Sequence, residues 1–172
     1  TMTEERAKQV TFAGPYYEAT QRIIVAKGSS ITGPADFKAK PSLKLCSVSG
    51  ATSAEHAKGY LADWHSQLVL FDTWSKCASA LQNKQVDAIT SDSGTLSGII
   101  VKSKGAYAFV GPSMASEPDG IGLPKGDVAF CEFIDDALRA AVADGRYKKA
   151  WEATLGEADP VVPPFPTPVP CR

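Results

Sequence analysis

Apolar residues in this chain follow two periods. Short runs at 10–12, 21–26, 43–48, 68–71, 86–90, 107–110 and 120–123 are β-branched or alternate apolar with polar. Turn-forming residues bound most of these runs, which predicts strands. Between them, apolar positions at helical spacing predict helices from 54 to about 65, over 74–84, from about 94 to 103, over 127–144 and over 146–155. Gly145 breaks the last two apart. Gly33-Pro34 opens a loop or short helix that Pro41 ends, and Gly14-Pro15 is expected to stop the first strand. At the start, Thr3 is placed to cap a short helical turn, with Arg6 one turn in.

Strands that alternate with helices predict βαβ units and a mostly parallel sheet, hence an α/β fold. Residues 42–111 read as β-α-β-α-β-α-β, a compact lobe with helices on a parallel-rich sheet. The flanking pieces have apolar faces but few strands. The expectation is therefore two lobes: 1–27 as part of the first, 28–112 as the second, and 113–172 returning to the first with C-terminal helices and a Pro-rich tail. The second lobe reads as complete and the first as partial.

Composition narrows the class. The 172 residues are 44% hydrophobic and 22% charged, as in ordinary globular proteins. A chain of this size buries roughly 70% of the surface it exposes when unfolded. The 18 Lys and Arg are scattered against 19 Asp and Glu, which argues against a nucleic-acid or anionic-membrane surface. No apolar run is long enough to span a bilayer. The four cysteines, Cys46, Cys77, Cys131 and Cys171, form no CxxC pair and lie away from His56 and His65, so a zinc site is not expected. Cys171 ends a stretch that holds six of the 12 prolines. A disulfide would pin such a tail, and of the three possible pairings we favour Cys46–Cys77 with Cys131–Cys171. That places the chain in an oxidising compartment outside the cytoplasm.

Three places could carry recognition chemistry. Arg6 beside the hydroxyl of Thr1 suits a carboxylate, because a guanidinium gives two parallel hydrogen bonds. Ser49-Gly50-Ala51-Thr52-Ser53 is a Gly turn feeding a helix, where Gly50 and Thr52 would present backbone N–H groups to a polar oxygen. The plain alternative is N-capping by Thr52 or Ser53. Asp92 follows the carboxyl end of a predicted parallel strand, where open α/β sheets place ligands. It could hold an ammonium, or simply cap the next helix. A cation, an anion and a helix start together suit a zwitterionic amino acid with a polar side chain. Trp64, Trp74, Trp151, Tyr16 and Tyr17 read first as core residues, and the histidines as surface helix residues.

The opening segment 1–17 also resembles bacterial solute-binding proteins of family 3, the extracytoplasmic receptors of polar amino-acid transporters. The resemblance continues through 26–30, the Ser49–Ser53 turn, the strand end at 86–92, Gly120-Ile121-Gly122-Leu123-Pro124-Lys125-Gly126-Asp127 and the last helices to Trp151. The cysteine placement resembles the glutamate/glutamine-type receptors of actinobacteria. The resemblance implies a periplasmic-binding-protein type 2 fold. It gives Thr1 and Arg6 to the ligand's α-carboxylate, Asp92 to the α-amine, and Thr52 with nearby N–H groups to the distal side-chain group. Glutamate or glutamine, with aspartate or asparagine also open, would be the ligand, and an ABC permease in the membrane the partner, with no cofactor, metal or nucleic acid. The protein would work in the periplasm or at the cell surface, a lipid anchor on a preceding segment being one arrangement. Position 48, Lys in some glutamine receptors, is Val48 here. An enzyme on the same fold, such as a cyclohexadienyl dehydratase, and a sensor domain of a membrane signalling protein are the rivals. No acid–base or nucleophile–base constellation is visible, which favours binding over turnover.

Overall fold

The computed structural model describes residues 1–171, which fall into two compact units: 1–19 with 116–171, and Thr20–Ala115. The mixed α/β architecture expected from the alternating pattern is present.

In the second unit, β2 (Leu45–Val48) is the centre of a parallel set, with β3 (Leu68–Phe71) on one side and β4 (Ala88–Asp92) on the other. The end of β1 (Val10–Ala26) is inserted between β4 and β5 (Tyr107–Val110) and runs antiparallel to both. The four strands that follow β1 here therefore share one direction, and β1 alone opposes them. Helices cover both faces. Ile23, Val25 and Leu45 pack with Phe37 of α2 (Ala35–Ala39) and Ala57 of α3 (Thr52–Ala57). On the other face Ile24, Cys46 and Ile89 pack with Cys77, Ala80 and Leu81 of α5 (Trp74–Gln82) and Leu96 of α6 (Ser93–Lys102). Asp36 opens α2: its carboxylate accepts from the Thr32 N–H at 2.7 Å and the Thr32 hydroxyl at 2.9 Å. These bonds hold its pKa below the usual carboxylate value, the backbone bond contributing most.

The helix expected from 54 to about 65 is two pieces, α3 and α4 (Trp64–Gln67). The reason is Gln67, a fully buried amide. Its Oε1 accepts from the Ala62 and Asp63 N–H groups at 2.8 and 2.9 Å, and Nε2 donates to the Phe37 and Leu43 carbonyls at 2.9 and 3.2 Å. One side chain thus supplies the partners that a continuous helix would have supplied. Trp64 is also not core: it is 38% exposed, stacked on His65 with ring centroids 3.7 Å apart, and the Lys58 ammonium lies over its ring.

The first unit holds α1 (Glu4–Ala7), the beginning of β1 paired with β6 (Ser116–Pro124), α7 (Val128–Ala143) and α8 (Arg146–Thr154). Gly145 separates the last two helices with φ +83°, as the sequence predicts. Gly14-Pro15 does not stop β1, which runs 17 residues through it. Gly14 takes φ +106°, its N–H donates to the buried Asp135 carboxylate at 2.8 Å, and its carbonyl accepts from Val169 N–H at 2.8 Å. A Cβ on Gly14 would lie 2.9 Å from the Tyr16 nitrogen, so only glycine fits. The proline-rich tail is held by that Val169 bond, by the Tyr147–Phe165 ring contact and by the Cys131–Cys171 disulfide. Cys46 and Cys77 form the second disulfide, between β2 and α5.

Gln67→Leu keeps the volume but orphans the two N–H groups and the carbonyls that Gln67 satisfies. We expect a loss of about 3 kcal/mol in chemical denaturation. A loss below about 1 kcal/mol would show that water replaces these bonds.

Candidate functional site

Thr1 and Arg6 meet within the first unit. The Thr3 hydroxyl accepts the Arg6 N–H at 3.1 Å and fixes the single turn of α1, as its sequence position suggests. That turn folds the Arg6 side chain back, and its Nη1 donates to the Thr1 carbonyl at 2.7 Å. The Thr1 hydroxyl donates to Glu117 at 2.5 Å. Glu117, on β6, is fully buried. Thr1 and Arg6 border a concavity of about 370 Å³ that Gln9, Val10 and Phe12 also line. Glu117 carried no local sequence signal, because its partner lies 116 positions away.

Gly50, Thr52 and Asp92 lie in the second unit, at the carboxyl ends of the parallel neighbours β2 and β4, Asp92 being the last residue of β4. This is the edge at which such sheets place ligands. Gly50 adopts φ +77°, and the turn is closed by Ser49 N–H to the Phe71 carbonyl at 2.9 Å and Ala51 N–H to the Val48 carbonyl at 3.1 Å. Neither Thr52 nor Ser53 caps α3. Ala51 takes the cap position, Thr52 is the first helical residue, and Ser53 is buried with its hydroxyl 3.1 Å from that of Ser47. Asp92 does cap: its Oδ1 accepts the Thr95 N–H of α6 at 2.7 Å, and the Ser91 hydroxyl donates to Oδ2 at 3.1 Å. A carboxylate has about four acceptor positions, so these bonds orient it without exhausting it.

A polar network that sequence reasoning did not find supports both loops. Gln21 of β1, fully buried, donates from Nε2 to the Ser53 carbonyl at 3.1 Å and to Thr90 Oγ1 at 3.0 Å. The Thr90 hydroxyl donates on to the Arg22 carbonyl at 2.9 Å, and the Ser47 hydroxyl to the Thr90 carbonyl at 3.3 Å. His56 Nδ1 lies 3.2 Å from Gln21 Oε1, so this nitrogen carries the proton. The network ties the start of α3 to the end of β4, which fixes Thr52 relative to Asp92. Among the described residues, Cys131, Asp135 and Cys171 gather metal-type ligand atoms, but the two sulfurs are bonded to each other.

The sequence profile of the bacterial extracellular solute-binding proteins, family 3, matches residues 1–157. The chain belongs to this family. It is 33% identical over 157 residues to the ABC transporter glutamine-binding protein GlnH of Bacillus subtilis, covering 91% of this chain and 56% of that one. It is 35% identical over 163 residues to the glutamate-binding protein GluB of Corynebacterium glutamicum, covering 91% of this chain and 54% of the relative. A solved ancestral arginine-binding protein with glutamine bound is 34% identical and superposes with a TM-score of 0.77, over 91% of this chain and 68% of that structure. The chain thus spans little more than half the length of these curated relatives. Family 3 proteins are extracellular by description, and among the described residues no helix is long and apolar enough to cross a membrane. The α/β architecture is that of the family's solved amino-acid-binding members.

Separating the cap role of Asp92 from its charge gives a check. Asp92→Asn keeps the acceptor and should change stability by less than about 0.5 kcal/mol, whereas Asp92→Ala should cost about 1 kcal/mol. Equal losses in thermal denaturation would contradict the capping geometry.

Proposed function

We propose that the chain is part of, or acts as, an extracytoplasmic receptor for a polar L-amino acid, with glutamate or glutamine as first candidates and aspartate or asparagine next. Arg6 with Thr1 holds the α-carboxylate, Asp92 the α-amine, and Thr52 with the N–H groups after Gly50 the distal polar group. The observation that supports this reading is the Thr1–Arg6 contact, a guanidinium folded against Thr1 in a family of solute-binding proteins whose relatives here are named for glutamine and glutamate. The fixed carboxylate of Asp92 at a strand end supplies the opposite charge. Relatives named for glutamine and glutamate support the ligand class, and ancestral arginine-binding proteins solved with glutamine and with arginine show how wide it is in this fold. The charge left at Asp92, with no Lys at position 48, favours ligands that bring their own ammonium. An ABC permease is the partner that would take the loaded receptor, and the periplasm or the outer cell surface its place of work.

An ancestral amino-acid-binding protein described as a precursor of cyclohexadienyl dehydratase superposes with a TM-score of 0.78 at 28% identity. The acids an enzyme would use do not suit proton transfer here. Glu55 is exposed and paired with Lys58 at 2.6 Å, and Asp92 is fixed by its cap. Release of phenylalanine from arogenate by this chain would favour the enzyme.

Calorimetric titration with L-glutamate and L-glutamine tests the assignment. Arg6→Ala should weaken binding by about 10–100-fold, since it removes a charge-assisted pair, and Arg6→Lys should recover only part of it. Asp92→Asn should weaken it by about 10-fold or more. Unchanged affinity in Arg6→Ala would show that the α-carboxylate is held elsewhere.

A further inference from the structure

The net charge of −1 hides a division. The second unit carries 10 Lys and Arg against 6 Asp and Glu, and the first unit 8 against 13. The surplus of the second unit equals four lysines that stand together: Lys27, Lys84, Lys102 and Lys104. Three of them line a groove of about 690 Å³ between α5 and α6. Lys27 adjoins it, with its Nζ 3.5 Å from where a Cβ on Gly105 would sit and its N–H bonded to the Ala106 carbonyl. Among the described residues no carboxylate lines the groove, and none of the four lysines has an ion-pair partner within 4.0 Å. Lys58 and Lys76 of the same unit, by contrast, are paired with Glu55 and Asp72.

Two of these lysines occupy backbone positions that suit glycine. Lys84 follows α5 with φ +57°, and Lys104 follows α6 with φ +52°. At Lys84 the chain closes the helix end with Lys84 N–H to the Leu81 carbonyl and Gln85 N–H to the Ala80 carbonyl. That is the left-handed helix stop at which a side chain is strained. The equivalent position after α7 is Gly145. A cation at a helix C-terminus gains from the dipole, but a lysine one turn earlier gains as much without the strain. The strain is explained if the charge is wanted at the mouth of the groove.

The floor of the groove is apolar and aromatic, with Trp74, Ala78, Ile99 and Tyr107. Burial pushes the Tyr107 hydroxyl pKa up. We infer that this face docks on an anionic phospholipid surface, the lysines meeting headgroup phosphates. Lysines on long flexible stems can each reach a separate phosphate. The rim has no arginine, whose planar fork would better suit the carboxylates of an acidic protein segment. The inference does not depend on the amino-acid reading, because none of these residues is assigned to that site.

The test is co-sedimentation of the full chain with vesicles of phosphatidylcholine alone and of equal parts phosphatidylcholine and phosphatidylglycerol. Binding is expected only to the anionic vesicles and should weaken with salt. The triple variant Lys84→Gln, Lys102→Gln, Lys104→Gln should lower the partition coefficient by about fivefold per lysine, on the order of a hundredfold together. Lys84→Gly and Lys104→Gly should raise the thermal midpoint while lowering partitioning, a combination that a purely structural role would not produce. Equal binding to neutral vesicles, or undiminished binding by the triple variant, would overturn the inference. So would binding of poly-glutamate without binding of anionic vesicles, which would point to a protein partner.

Discussion

The register of β1 is the constraint on which the second unit depends. Ile24 stands opposite Ile89 on one neighbour and Phe109 on the other, and both faces of the strand are buried. Ile23 and Val25 point into one helix-covered core and Ile24 into the other. A slip of one residue would exchange them and would also remove Gln21 from Ser53 and Thr90. The same alternation therefore fixes the packing and the polar network that holds the α3 and α6 starts. Because one strand opposes four, the shared end of the parallel strands collects the loops that carry Gly50, Thr52 and Asp92.

What was legible in the sequence is what is decided locally. Thr3 capping Arg6, Asp92 capping Thr95 and the break at Gly145 each depend on residues within one helical turn. Thr1 and Arg6 were readable as a pair for the same reason. Strands β2 and β4 are buried on both faces, and β3 and β5 are short runs rich in apolar residues, so all four announced themselves. The favoured disulfide pairing is present, with Cys171 tying the tail to α7.

What was not legible is decided at long range. Gly14-Pro15 punctuates a sequence as a turn, yet here β1 passes through because Asp135, 121 positions away, takes the Gly14 N–H and Val169 supplies a donor for its carbonyl. The apolar spacing of 54–65 suggested one helix, and the buried Gln67 amide overrode it. Gln21 and Thr90 carried no signal beyond their strands and Ser53 read as a possible helix cap, since each finds its partners at positions distant in sequence. Lys84 and Lys104 carry no local sequence signal, and only their positive φ marks them.

The central proposal is that this chain takes part in recognising a polar amino acid as a zwitterion. A thermal-denaturation panel over the proteinogenic L-amino acids tests it most directly, because a ligand that binds only the folded state raises its midpoint. The account predicts a rise of about 5–10 °C for glutamate, glutamine, aspartate or asparagine at roughly a hundred times the dissociation constant, and none for the corresponding amines that lack the α-carboxylate. A flat panel, or an equal rise with those amines, would contradict it.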